Sequence, residues 1–213
     1  MLKAMAFIDY QNFHYSTSNY LKSINQSSLR LDYKDLCQQI VNNISLQPAV
    51  LVKTYLFAAK PCDALLNSCN PKYKNLNTWL KSLKNKPYFE VIEGTQQIRP
   101  SMKGQEIDPN DPSTYSTIEK ETDVNIAVQM VSKAYQNSYD IAVLLSNDTD
   151  YLPIVKTLHD LGKIIVLVKL PDQRVYKFEN YVDEIFQIDY SFFQRVLNNE
   201  ERLPFECFED IEG

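Results

Sequence analysis

The sequence predicts an α/β protein with a mainly parallel central sheet and helices on both faces. Short apolar runs, which are typical of buried parallel strands, alternate along the chain with segments of helical periodicity. The 213 residues, of which 44% are hydrophobic, are enough for one sizeable domain with a buried core. A composition with 4 Gly, 10 Pro and 23% charged residues excludes a flexible linker, a collagen-like repeat and wholesale disorder.

Six segments are predicted to be strands because they are short and rich in apolar residues. The first ends at Asp9, and the fourth, 140–145, has the clearest pattern of a fully buried strand. The strands are predicted at 4–8, 49–59, 89–93, 140–145, 163–170 and 184–188.

Seven segments with helical periodicity lie between or after these strands. Asp32 is the predicted N-cap of the second helix, and Gly162 ends the fifth. The helices are predicted at 13–22, 33–43, 73–84, 118–136, 151–161, 171–181 and 190–197.

Between the third strand and the helix at 118–136 the periodicity stops. Gly94, Gly104 and three prolines punctuate a polar stretch, 94–117, which is predicted to be a long loop insertion. An extension of the third strand near 97–99 is the alternative for part of it. The predicted domain therefore spans residues 1–190, and 191–213 holds a C-terminal helix and an acidic tail.

The net charge of −5 is located in the C-terminal tail. Residues 199–213 contain six acidic side chains and one arginine, so the first 198 residues are neutral. Residues 1–90 hold 11 basic and 5 acidic side chains, whereas 91–198 hold 10 and 16. The chain is therefore polarised, and its N-terminal part is the basic one.

The densest basic stretch, 60–88, combines lysines with aromatic residues. Its interleaved aromatic residues are Tyr73, Trp79 and Tyr88. Lysine and aromatic side chains together suit a single-stranded nucleic acid, because they contact phosphates and stack on bases. Lys81 and Lys84 are the candidate RNA contacts. A solvated helix face is the alternative interpretation of the same lysines.

Cysteine and histidine usage disfavours zinc and disulfides. The four cysteines include no CxxC pair, and the two histidines do not lie at zinc-ligand spacing. We therefore expect reduced thiols and a cytoplasmic location. No apolar run reaches the roughly 20 residues that a bilayer span needs, so no membrane partner is expected.

Four aspartates are predicted to meet at one edge of the sheet. Asp9 ends the first strand, and Asp148 and Asp150 follow the fourth. Asp123 lies on the predicted helix at 118–136. In open parallel sheets, ligands bind outside the carboxyl ends of the strands, at the point where the strand order reverses. Clustered carboxylates repel one another unless a cation is present, and oxygen ligands without His or Cys favour Mg²⁺ or Mn²⁺.

Each aspartate also has a purely structural interpretation. An Asp after a strand often caps a helix or forms an Asx turn, which would account for Asp9, Asp148 or Asp150 singly. Asp123 is predicted to lie on a buried helical face, where an unpaired carboxylate is costly. A Lys120–Asp123 ion pair on that face is the alternative.

Three segments resemble, in their order and spacing, the NYN domain, the LabA-like group of the PIN-related nucleases. They are FIDYQNF (7–13), EKETDVNIAV (119–128) and LLSNDTDYLPIVKTLHDLGKIIVLV (144–168). The resemblance covers residues 4–170 and implies a Rossmann-like PIN fold. It also implies a divalent-metal-dependent ribonuclease, with an endonuclease expected, acting on single-stranded RNA or structured RNA such as tRNA.

The resemblance assigns roles residue by residue. Four positions match the catalytic and metal-holding acids: Asp9, Asp123, Asp148 and Asp150. Asn12 matches the polar residue that follows the first acid, and Lys120 matches a basic residue before the helix acid. Substrate contacts are expected from Asn12, Lys120, Ser146 and Thr149, besides Lys81 and Lys84. Mg²⁺ or Mn²⁺ is the expected cofactor.

One position departs from the family pattern, because Asn147 stands where the family usually has glycine. If that glycine serves a left-handed backbone conformation, Asn is the next most tolerant residue, so the turn is expected to persist. All four acids are present, which favours an active enzyme. The alternative is a catalytically weak NYN-like module that binds RNA or a protein partner.

Two further enzyme classes fit the sequence poorly. A haloacid-dehalogenase-like phosphotransferase would need its DxD motif directly after the first strand. There, Gln11 stands at the position of the second aspartate, two residues after Asp9. A dinucleotide enzyme would need a GxGxxG segment, and the sequence contains nothing similar. His14 is interpreted as a packing or surface residue and not as a base. A homodimer is compatible with the sequence, but no residue pattern indicates one.

Overall fold

The structure, a computed structural model, describes residues 1–198, and these form one seven-stranded sheet flanked by helices. The strands are β1 (Leu2–Asp9), β2 (Ala49–Pro61), β3 (Phe89–Pro100), β4 (Tyr115–Lys120), β5 (Ile141–Leu145), β6 (Ile164–Lys169) and β7 (Glu184–Gln187). The helices are α1 (Tyr10–Ser23), α2 (Tyr33–Asn43), α3 (Asp63–Leu66), α4 (Pro71–Leu83), α5 (Thr122–Tyr135), α6 (Leu152–Asp160) and α7 (Tyr190–Asn198). The acidic tail at 199–213 lies outside the described residues.

The strand order is β4-β3-β2-β1-β5-β6-β7. Every neighbouring pair is parallel except β3 and β4, which are antiparallel. The central strand β1 therefore lies between β2 and β5, and β5 is the fourth strand that the sequence predicts. The predicted α/β class is confirmed, and the first and fourth predicted strands are neighbours in the sheet. Their carboxyl ends meet where the strand order reverses, the usual ligand-binding edge of such a sheet.

Alternate side chains of β1 enter two different cores. Ala4 and Ile8 pack on one face of the sheet, with residues of α1, α2, α4 and α7. Met5 and Phe7 pack on the other face, with residues of α5 and α6. Because successive side chains of a strand point to opposite faces, Asp9 continues the Met5–Phe7 row and faces α5 and α6.

Side-chain caps begin several of the helices. The carboxylate of Asp32 accepts hydrogen bonds from the backbone N–H groups of Lys34 and Asp35, which confirms its predicted role at the start of α2. Asp9 caps α1 and Asn70 caps α4 in the same way. Asp9 therefore has a structural role, whatever else its carboxylate does.

The predicted helix at 118–136 is wrong at its start, because β4 occupies Tyr115–Lys120 and α5 begins only at Thr122. Ile118 pairs with Gln97 of β3, so its backbone joins the sheet and not a first helical turn. β3 and β4 form an antiparallel hairpin, in which β3 runs on to Pro100. The prediction of one loop over 94–117 is therefore wrong.

Two smaller outcomes concern the second half of the chain and the cysteines. The predicted helix at 171–181 is wrong, because this segment forms successive turns. Cys37, Cys62 and Cys69 are free thiols, as expected, and Cys207 lies outside the described residues. Within residues 1–198, no helix combines the length and the apolar character that a membrane crossing requires.

Gly94 fixes how closely the β4–α5 connection approaches β3. A Cβ atom at this position would lie 2.5 Å from the carbonyl oxygen of Lys120 and 2.5 Å from Oγ1 of Thr122. Real Cβ atoms do not come this close to other heavy atoms, so only glycine fits without a shift of the connection. Because Asp123 follows directly, Gly94 also determines where that carboxylate lies.

We predict that Gly94→Ala lowers the free energy of unfolding by about 1–3 kcal/mol, the usual range for overpacking. Urea unfolding monitored by circular dichroism measures this. Gly104→Ala is the control, since its Cβ meets nothing within 4 Å and its cost comes only from a φ of +83°. An unfolding free energy for Gly94→Ala equal to that of the wild type would show that the connection moves away freely.

Candidate active site

Asp9 is a buried carboxylate held by three donors from different parts of the chain. Only 6% of the residue is exposed. Its oxygens accept hydrogen bonds from the backbone N–H of Asn12 (3.2 Å), the hydroxyl of Ser146 (3.3 Å) and the hydroxyl of Tyr151 (2.9 Å). Burial raises the pKa of Asp9, the hydrogen bonds from Asn12 and Tyr151 lower it in part, and the charge of Asp123 raises it further.

Tyr151 joins Asp9 to Asp123. Its hydroxyl oxygen lies 2.9 Å from Oδ2 of Asp9 and 2.7 Å from Oδ1 of Asp123. The ring of Tyr151 is 1% exposed and lies in the core beneath α5 and α6, so the hydroxyl has a fixed position. Burial, followed by the charges of the two aspartates, raises the pKa of Tyr151 far above its ordinary value, so the hydroxyl keeps its proton.

One hydroxyl hydrogen cannot satisfy both carboxylates. The Tyr151 O–H group can donate to Asp9 or to Asp123, and the other oxygen then faces a lone pair at hydrogen-bond distance. Within residues 1–198, neither aspartate forms a salt bridge with a lysine or arginine. The site is therefore short of positive charge.

Asp123 occupies the first turn of α5, and its surroundings differ from the prediction. The buried residues of α5 are Thr122, Ile126, Met130 and Ala134, whereas Asp123 is exposed beside them. The predicted buried carboxylate is therefore wrong, because the buried face of α5 runs through Thr122 and Ile126 and does not include Asp123. Lys120 is the last residue of β4, so the alternative of an ion pair along one helical face is also wrong.

Glu119 belongs to the site and was missed by the sequence analysis. It lies on β4 and retains an exposed surface, yet loss of water around its carboxyl group raises its pKa to about 7. The negative charges of Asp9 and then Asp123 contribute to this rise. The position was overlooked because residues 118–120 were assigned to a helix. Alternation along a strand would have placed Glu119 on a definite face of the sheet.

A left-handed residue turns the chain between Glu119 and Asp123. Glu121 has a φ of 74° and precedes α5 without capping it through its side chain. A non-glycine residue in this conformation costs roughly 1–2 kcal/mol, and such residues are concentrated at functional sites. Residues 119–124, which include Lys120 and the acids Glu119 and Asp123, line one surface depression.

Asp148 and Asp150 lie in the 3₁₀ turn that follows β5. The carboxylate of Asp148 accepts a hydrogen bond of 3.0 Å from the backbone N–H of Asp150, so it caps this turn. The backbone N–H of Asp148 donates to the hydroxyl of Ser146 (3.3 Å), which itself donates to Asp9. Ser146 is fully buried, so it positions these two segments and is not accessible to a substrate.

The structure brings Asp9 and Asp123 together and adds Glu119, while Asp148 and Asp150 stay outside that contact. In the part of the chain that the structure describes, no three His, Cys, Asp or Glu side chains are arranged closely enough to hold a metal ion. The donor chemistry nevertheless fits a hard divalent cation. The carboxylates of Asp9 and Asp123 share the one hydrogen of the Tyr151 hydroxyl, and a cation bound there would neutralise their negative charge.

Asn147 does not have the left-handed backbone that was considered for it. Within residues 1–198, positive φ values occur at two glycines and at Asn25, Tyr88, Glu121 and Asn137, and not at Asn147. Its backbone N–H donates to Oδ1 of Asn12 (3.4 Å), and its side-chain amide donates to Oε1 of Gln173. Asparagine therefore ties the β5 edge to Asn12 and Gln173 through hydrogen bonds that glycine, lacking a side chain, would make only in part.

The basic and aromatic stretch at 60–88 does not form one surface. Tyr73 is buried against Leu65 and Tyr115, and Lys84 forms a salt bridge of 2.9 Å with Glu93. The expectation that Tyr73 is displayed for stacking is therefore wrong. Lys81 is exposed, as are Lys120 and Thr149 near the carboxylates. Their contacts to a substrate stay predictions.

Comparisons with known proteins identify a matching family and a similar fold. A family model described as the NYN domain matches residues 3–189. The chain is similar in fold to a crystal structure of a protein of unknown function from Vibrio parahaemolyticus, with a TM-score of 0.55 and 19% sequence identity. That similarity covers 90% of this chain and 95% of the other. No curated protein matches the sequence.

We predict that Tyr151→Phe lowers the free energy of unfolding by about 1.5–3 kcal/mol in the presence of EDTA, because a buried carboxylate loses a donor. Urea unfolding at neutral pH measures the change. Tyr139→Phe is the matched control, since that buried tyrosine donates to the neutral carbonyl of Met130 (2.8 Å). Its loss is expected to be about 1 kcal/mol. Equal losses in the two variants would show that Tyr151 does not hold the acids.

The raised pKa of Glu119 predicts a specific pH dependence of stability. Between pH 4.5 and about 7 the folded protein binds this proton more tightly than the unfolded chain does. The resulting stabilisation is present below pH 4.5 and is lost as the pH rises through about 7. Wild-type protein should therefore lose stability over this interval relative to Glu119→Gln, in urea unfolding with EDTA present. Glu179→Gln, at an exposed position, is the control and should leave the pH profile of stability unaltered. Parallel profiles for the wild type and Glu119→Gln would contradict the raised pKa of Glu119.

Proposed function

The chain belongs to the NYN domain family, a family of PIN-like nucleases, and on that premise we propose that it is a divalent-metal-dependent ribonuclease. It hydrolyses RNA phosphodiester bonds at the carboxyl edge of β1 and β5. The observation that carries the proposal is the contact of Asp9 and Asp123 with one hydroxyl, at a site short of positive charge.

Asp9 and Asp123 would hold the Mg²⁺ or Mn²⁺ ion, with Glu119 beside them and Asp148 contributing from the 3₁₀ turn. Asp150, which is exposed on that turn, would be a further ligand or would orient a water molecule. When bound, a divalent cation supplies positive charge that activates water for in-line attack and offsets charge on the phosphate.

The remaining roles belong to the chain's own polar groups. Ser146 and the backbone N–H of Asn12 fix the orientation of the Asp9 carboxylate. Lys120 lines the same depression as Asp123 and would offset negative charge on the phosphate group. Asn12 and Thr149 would hydrogen-bond phosphate oxygens. No side chain is required as a nucleophile.

We predict that Asp123→Asn and Asp148→Asn each abolish cleavage of labelled RNA, with no loss of the folded state. The substrates are single-stranded RNA and a tRNA, each incubated with Mn²⁺, Mg²⁺ or EDTA. Asp160→Asn is the matched control, because that side chain is 84% exposed on α6. It should cleave at the wild-type rate, and thermal unfolding should show all three variants folded.

Retained cleavage in both acid variants would overturn the proposed site. RNA binding by the wild type without cleavage under any metal would instead favour the module that binds RNA without hydrolysing it. If the protein neither binds nor cleaves RNA, a protein partner becomes the expected ligand of this edge.

A further inference from the structure

We propose that Tyr10, His14 and Trp79 form a stacking site for a base of single-stranded RNA, at the same end of the sheet as the carboxylates. This inference rests on the proposed function and adds to it the recognition of an unpaired nucleotide next to the cleaved bond.

The rings of His14 and Trp79 each lie against the ring of Tyr10. The ring of His14 stacks on that of Tyr10, with centroids 5.3 Å apart and planes inclined by 23°. The Trp79 ring lies 4.8 Å from Tyr10 on the same helix-covered face of the sheet. His14 is exposed, and Tyr10 and Trp79 are half-buried. The cluster therefore has an aromatic surface that solvent reaches.

Buried rings support the cluster from below. Tyr33 contacts both Tyr10 and Trp79 edge-on, at centroid distances of 5.9 and 6.0 Å. Phe13 contacts Tyr33 in turn, and both are nearly inaccessible to solvent. The platform is therefore held in place before any ligand arrives, which lowers the entropic cost of binding.

The cluster begins one residue after the first acid. Asp9 ends β1 and faces α5 and α6, whereas Tyr10 starts α1 and packs against the core on the opposite face. Consecutive Cα atoms are about 3.8 Å apart. Both groups therefore lie at the same edge of the sheet, on opposite faces, and an RNA strand bound across that edge can contact both.

The charges around the cluster suit a polyanion with flat neutral bases. His14 keeps an exposed surface, but loss of water around the rest of its ring, together with the charge of Lys72, lowers its pKa. Lys72 is exposed, and it forms no salt bridge within residues 1–198. It is therefore available to a phosphate, in contrast to Lys84, which is paired with Glu93.

Aromatic rings that carry successive bases are the usual means of binding single strands without sequence readout, and each contributes substantially to affinity. A packing role alone accounts for Tyr33 and Phe13, which are buried. It does not account for His14, which is exposed at the outer end of the stack.

The experiment measures binding of an oligouridylate RNA of about 10 nucleotides, within the usual site size for single strands. EDTA prevents cleavage, and fluorescence polarisation of labelled RNA gives the dissociation constant. Trp79 is the single tryptophan of the chain, so quenching of its fluorescence reports directly on this cluster.

We expect the RNA to quench Trp79, and we expect His14→Ala to weaken binding roughly 5- to 100-fold. His14→Phe, which keeps a ring, should restore most of the affinity. Tyr15→Ala is the matched control, because Tyr15 is a 69% exposed aromatic residue on the same helix, and it should bind RNA like the wild type. An abasic RNA of the same length should bind the wild type and His14→Ala equally.

Two outcomes separate this inference from the proposed function. If wild-type protein cleaves RNA with metal but His14→Ala binds as tightly as the wild type, the stacking site is wrong and the ribonuclease stands. If wild-type protein neither binds nor cleaves RNA, both are wrong.

Discussion

The buried carboxylate of Asp9 is the constraint on which the rest of the site depends. A carboxylate at this depth is stable only if its oxygens find donors, and the donors come from α1, from the end of β5 and from the 3₁₀ turn after it. Those elements meet only because β5 pairs directly with β1. The strand order of the sheet is thus what brings these hydrogen-bond donors to the Asp9 carboxylate.

Tyr151 shows how a core residue determines the electrostatics of a surface site. Its ring packs with Ile126 and Val155 beneath the helices, while its hydroxyl reaches two acids at the edge. The same residue therefore contributes apolar burial and a polar tether. Because the hydroxyl supplies one hydrogen to two carboxylates, the packing leaves a deficit of positive charge at the edge.

The sequence was most informative where a pattern repeats along one element. The apolar runs that became β1 and β5 are buried on both faces, and such runs indicate central parallel strands without knowledge of their neighbours. Asp9 and Asp148 followed from these strand ends. By contrast, β4 is exposed at most positions, and it is a strand because β3 pairs with it. That pairing is a long-range property, so the local pattern gave a helix and concealed Glu119.

The aromatic residues illustrate the same limit from another direction. Along the chain, Trp79 is grouped with Tyr73 and Tyr88, yet in the fold it contacts Tyr10 and Tyr33. Residues spaced along one helix point to different sides, and no spacing rule relates α4 to the start of α1. The two tyrosines at positions 10 and 33 were therefore absent from the predicted surface.

The wide separation of the site residues along the chain has a consequence during synthesis. Among the site residues Asp9 is made first, Glu119 and Asp123 follow more than 100 residues later, and Ser146 and Tyr151 come later still. A nascent chain that has left the ribosome only as far as β4 contains the first acid without the hydroxyls that hold it in place. The site is thus assembled only after β5 and the turn that follows it have emerged, when most of the strands of the sheet are already present.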